Sequence, residues 1–150
     1  LPLSISAVWQ GGIVTAYRAE WLHGRGETPF ASTERTARDQ SLSLGGSLPT
    51  PGFLAPAFPE PISIALHYTH GDRRECRLSA ELAACSARNE FLSYEDRVVG
   101  MQLDTRAAGM SFGLQLDHRD RRDRIGERAA NSQFTFGLFG QFNFTAGSIP

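Results

Sequence analysis

Residues 133–145 read Gln133-Phe134-Thr135-Phe136-Gly137-Leu138-Phe139-Gly140-Gln141-Phe142-Asn143-Phe144-Thr145, and the alternation within that run decides the fold class. In an extended chain Phe134, Phe136, Leu138, Gly140, Phe142 and Phe144 share one face. Gln133, Thr135, Gly137, Phe139, Gln141, Asn143 and Thr145 share the other. A period of two predicts a β-strand, and a run this long is about twice the usual strand of a soluble domain. One face is aromatic and apolar, the other mostly amide, hydroxyl and glycine. Crossing a bilayer takes roughly 9–11 tilted residues with hydrocarbon on one side and a polar lumen on the other. The stretch predicts a transmembrane strand of an outer-membrane β-barrel.

The same pattern extends upstream. Met110, Phe112, Leu114 and Leu116 oppose Ser111, Gly113, Gln115 and Asp117; Val99, Met101 and Leu103 oppose Gln102 and Asp104. Ile62, Ile64, Leu66 and Tyr68 alternate with Ser63, Ala65, His67 and Thr69. A strand over residues 36–48 sets Leu42, Leu44, Gly46 and Leu48 against Ala37, Asp39, Ser41, Ser43 and Ser47. Ile13, Thr15, Tyr17, Ala19 and Trp21 oppose Arg18 and Glu20, and Leu3, Ile5, Ala7 and Trp9 begin the series. An arginine at mid-depth in lipid costs about 2–4 kcal/mol, which fixes the facing. The predicted lipid-facing set is therefore Met110, Phe112, Leu114, Leu116, Phe134, Phe136, Leu138, Phe142 and Phe144. The predicted lumen-facing set is Arg18, Glu20, Gln102, Asp104, Gln115, Gln141 and Asn143. Tyr17 and Trp21 suit an interfacial aromatic girdle.

These segments predict an all-β, antiparallel up-and-down meander of about seven long strands, with residues 10–12 either a turn or a bulge. Residues 23–35, 72–94 and 119–131 are polar and read as long loops; residues 105–109 read as a short turn with Gly109 free to take positive φ. Residues 49–61 carry Pro49, Pro51, Pro56, Pro59 and Pro61 and read as a rigid extended connection rather than a proline-motif ligand. Barrels carry long loops outside the cell and short turns in the periplasm, so the alternation over the last four strands predicts a periplasmic C-terminus. The proline-rich connection is long for that scheme. An odd, small strand set and an opening without initiator Met or cleavage site predict one domain that is a C-terminal segment of a longer barrel chain.

Composition bounds the rest. The net charge is −1, all fifteen basic residues are arginine, and no apolar run reaches the length of a transmembrane helix. No strong field points to nucleic acid. Cys76 and Cys85 read as a loop-pinning disulfide of an oxidising compartment. The competing metal reading with His67 and His70 fails on spacing and on their opposite facing. The run 119–124 mixes signs and reads as a solvated, self-paired loop, with lipopolysaccharide contact the lesser reading; residues 72–75 read alike. His118 with Asp117 and Asp120 reads as a rim cluster. His23, His67, His70 and His118 sit in no motif with catalytic mechanics, so no active site and no cofactor is expected.

Several segments carry a family likeness: Ser41 to Pro49, where Leu-Pro closes a serine/leucine strand; the start Pro61-Ile62-Ser63-Ile64-Ala65-Leu66-His67-Tyr68; and the Cys76/Cys85 loop. The run 97–105 (Arg-Val-Val-Gly-Met-Gln-Leu-Asp-Thr) and the closing Phe/Gly segment through Gly147 complete it. In this order the parts resemble the C-terminal end of the SprA/Sov family, the giant outer-membrane translocon of the type IX secretion system. The resemblance implies the wall of a protein-secretion channel in the outer membrane of a Gram-negative-type bacterium, exporting proteins to the cell surface. It implies secreted cargo and plugging or gating proteins as partners, besides outer-membrane lipid, lipopolysaccharide and the rest of the barrel. It implies no catalytic residue or cofactor. The sequence departs from many barrels in closing on Gly147-Ser148-Ile149-Pro150 rather than an aromatic. The alternatives are a small-solute porin or TonB-dependent transporter barrel, an outer-membrane enzyme, or a secreted soluble β-sandwich or adhesin.

Overall fold

The computed structural model describes residues 2–28, 31–107, 110–125 and 130–142. Seven strands follow one another in a single antiparallel sheet whose spatial order is the chain order: β1 (Pro2–Val8), β2 (Val14–Thr28), β3 (Ala31–Leu48), β4 (Ile62–Leu78), β5 (Glu90–Ala107), β6 (Met110–Asp123) and β7 (Asn131–Phe142). The meander and its strand number are those the alternation predicts. Among the described residues the sheet is open, with β1 and β7 each paired on one side only.

Strand length is where the structure departs from the polarity pattern. β2 and β3 pair without interruption from Val14↔Gly45 to Thr28↔Ala31, so residues 23–35 are not a long loop; only residues 29 and 30 separate the strands. β4 runs to Leu78 and β5 starts at Glu90, which shrinks the expected loop over 72–94 to residues 79–89. β6 continues to Asp123, so most of the charged run 119–124 is strand. The physical reason is that charged side chains alternating across a ladder can pair with neighbouring strands. They oppose burial, not extension.

At the other end the connections are unequal. Residues 10–12 form a turn, closed by Trp9 N–H donating to the Ile13 carbonyl (2.7 Å), with Gly11 and Gly12 at φ 87° and 77°. Thr105, Arg106 and Ala107 belong to β5, leaving residues 108 and 109 between β5 and β6; the expected φ of Gly109 lies outside the described residues. Residues 49–61 are not extended. Ala55 N–H donates to Pro51 O (3.0 Å) and Phe58 N–H to Leu54 O (2.8 Å), winding the segment into two consecutive turns. Long loops and short turns thus do not segregate cleanly to opposite ends, since residues 29–30 are short and 49–61 long.

Candidate functional site

Directly paired residues of a sheet share a face, so the register sorts every strand residue. One face carries rows that cross the whole sheet. Ala7, Thr15, Leu44, Leu66, Met101, Leu116 and Phe136 form one row. Ile5, Tyr17, Leu42, Tyr68, Val99, His118 and Phe134 form the next towards the β2–β3 turn. Gly46, Ile64, Leu103, Leu114 and Leu138 lie on the opposite flank, and beyond them come Leu48, Phe112 and Gly140. On β5 this apolar band takes in residues 99–107, nine positions. Met110, Phe112, Leu114, Leu116, Phe134, Phe136 and Leu138 all fall on it. Phe142 pairs with Met110, and Phe144 lies outside the described residues.

Among the described residues little covers the band; the Phe58 ring meets it at its edge, on Phe112. Among the described residues the only buried apolar side chains are Ala19, Cys76 and Ala107, whereas Leu138 is 73% exposed and Phe134, Phe136 and Val99 are more than half exposed. A sheet normally buries one face against another layer. Among the described residues this one has no second layer.

The other face is mostly polar, with Val8, Val14, Leu22 and Val98 among its apolar members. Arg18, Glu20, Gln102, Asp104, Gln115 and Gln141 all map to it by register, while Asn143 lies outside the described residues. Gln102 Nε2 donates to Asp104 Oδ2 (2.9 Å) and Gln115 Nε2 to Asp117 Oδ2 (2.6 Å). Sequence reading missed one arrangement here. His67, Gly100 and Asp117 occupy one row on β4, β5 and β6, and His67 Nε2 lies 3.2 Å from Asp117 Oδ1 across the bare glycine. A Cβ at Gly100 would overlap both side chains. At Gly113 the opposed Phe139 ring fills the same kind of gap, giving the one aromatic of the polar face in β7 a structural place. Asp117 therefore does not group with His118 and Asp120, which face the other way; His118 Nε2 lies 3.5 Å from Ser132 Oγ. His67 and His70 also sit on opposite faces.

Above the band, towards the β2–β3 turn, the strand ends carry charges on both faces. Glu95 takes Arg97 Nε at 2.8 Å, has His70 Nδ1 3.7 Å away and lies 3.4 Å from Arg124, which also reaches Asp72 at 2.9 Å. Hydrogen bonding to Arg97 holds the Glu95 carboxyl below its ordinary value against the opposing effect of desolvation. Arg119 does the same for Asp96, donating from Nε at 2.8 Å. Arg121 stacks over the Tyr94 ring at 4.0 Å, and Arg35 meets Glu75 at 3.0 Å. The run 119–124 pairs both ways: Arg121 meets Asp123 and Arg122 meets Asp120 within it, each at 3.5 Å, as the sequence predicts, while Arg119 and Arg124 reach Asp96, Asp72 and Glu95 on other strands.

Cys76 and Cys85 are bonded, with Cα atoms 5.4 Å apart. Cys76 is a buried β4 residue beside the bulge at Glu75/Cys76, not a loop residue, and only Cys85 lies in the connection. Cys76 pairs with Glu34, which pairs with Arg25, all on the face of the apolar band. Arg25 Nη2 donates to Ala83 O (3.2 Å), so the 79–89 connection leans over that face. Among the described residues no cluster of His, Cys, Asp and Glu could hold a metal ion. Comparison of the chain with protein-family models, curated proteins and solved structures finds no match.

Proposed function

We propose that this sheet is a segment of the wall of an outer-membrane β-barrel, with the apolar face towards lipid and the polar face towards a water-filled lumen. The observation that carries the proposal is the largely uncovered apolar band, nine residues tall on β5 and continuous across the sheet. Its height fits the roughly 9–11 residues a tilted strand needs to cross hydrocarbon. Tyr17, Tyr68 and Trp21 stand where the band gives way to charge, as an interfacial girdle would. A soluble β-sandwich fits less well: β2 to β6 have 15, 18, 17, 18 and 14 residues, against about 5–6 in ordinary sheets.

The wall itself does the work: outward Leu, Phe, Ile and Met hold it in lipid, and inward Gln, Asp, Ser and Arg keep the channel wet. The finer assignment, a translocon passing proteins to the cell surface, rests on the resemblance to the SprA/Sov family. Density-gradient fractionation of envelopes tests the location. The chain should travel with outer membrane and resist alkaline extraction; release into the soluble fraction would overturn the proposal.

A further inference from the structure

Resting on the barrel reading, we infer that residues 49–61 form a strap lying in the headgroup–acyl boundary of the leaflet at the end of the barrel away from the charged strand tips. The connection starts on β3 and ends on β4, which are neighbours, so roughly two to five residues would have joined them. Instead it crosses the sheet. Glu60 O accepts from Thr105 Oγ1 on β5 (3.5 Å), and the Phe58 ring meets Phe112 of β6 edge-on at 5.7 Å. Thr105 and Phe112 both belong to the apolar face, so Phe58 brings the strap to the rim of that face, while Glu60 and Pro61 close it over the strand ends beside Ser63, Asp104 and Gln141 of the polar face. Thr50 Oγ1, donating to Glu60 O, ties its two ends together.

Its chemistry fits the boundary. Residues 49–59 hold no ionisable side chain, and the turns present Phe53 at 82% exposure. Phe58 on Phe112 makes the strap continuous with the band, so a bilayer reaching the band also reaches the strap. Apolar, aromatic segments lying in the plane of the interface bind there by the area they bury. The connections at the opposite end carry Glu81, Arg88 and Arg124, which suit water.

Replacing the native tryptophans (Trp9→Phe, Trp21→Phe) and introducing Phe53→Trp gives a single reporter in the full chain. It is reconstituted in phosphatidylethanolamine/phosphatidylglycerol vesicles brominated either high on the acyl chain or near its end. The strap predicts emission at short wavelength and loss of most of it to bromines high on the chain. Leu138→Trp in the same background serves as the band control and should lose most to the deep bromines. Quenching at 138 with none at 53 would overturn the strap and leave the barrel. A blue-shifted but unquenched Trp at 53 would mean that protein covers it, with the same consequence. No quenching at either site would overturn both.

Discussion

At the scale of single residues, the two faces make opposite demands on one substitution. Leu138→Arg places a charge in the band and should cost about 2–4 kcal/mol when unfolding is followed in lipid. Gln115→Arg, on the polar face of the neighbouring strand, should change little. If the apolar face met water, Leu138→Arg would be as mild, because the side chain is already 73% exposed. Gly100→Ala forces His67 and Asp117 apart and should cost roughly 1–3 kcal/mol in the same assay, the usual range for overpacking. A Gly100→Ala protein as stable as its parent would show that the pair across the glycine does not stabilise the sheet. The facing of Leu138 was legible in the sequence, because its neighbours alternate for a dozen residues. The His67–Asp117 contact was not: the residues lie fifty positions apart and meet only through the register of three strands.

At the scale of elements, the strand tips beyond the band are held by ion pairs and one disulfide. Glu95 and Asp96 bind protons less tightly folded than unfolded, because Arg97 and Arg119 donate to them. Their contribution is therefore complete above the ordinary carboxylate range and is lost as pH falls through their lowered values. Amide exchange at the tips of β5 and β6 should speed up on acidification, while residues 99–105 stay protected. Equal protection of the tips at both pH values would contradict this. Replacing Cys76 and Cys85 by serine should cost roughly 2–3 kcal/mol of local order, read as faster proteolysis within residues 79–89. These tips are the part of the fold that hydropathy could not reveal. Residues 23–27 alternate His, Arg and Glu with glycine, and residues 119–123 are all charged, so neither run shows the apolar/polar period of a half-buried strand and both read as loop. The proline-rich segment misled differently: its prolines do exclude a strand, yet they permit the turns that lay it across β5 and β6.

At the scale of the whole molecule, the odd number of up-and-down strands among the described residues leaves β1 and β7 running in the same direction, each with an open edge. In hydrocarbon such edges leave backbone groups unpaired at several kcal/mol apiece, so these 150 residues alone should not yield a monodisperse, heat-modifiable monomer in detergent. The pattern that made the sheet legible, apolar against polar at every second residue, is also the basis for proposing that it faces two solvents. The most direct test is to introduce single cysteines at Met101, Gln102, Leu103, Asp104, Leu114 and Gln115, with Cys76–Cys85 left oxidised, and to label the membrane-embedded protein with a membrane-impermeant maleimide. The account predicts labelling at 102, 104 and 115 and protection at 101, 103 and 114. Equal labelling at all six sites would mean that the apolar face is not in lipid.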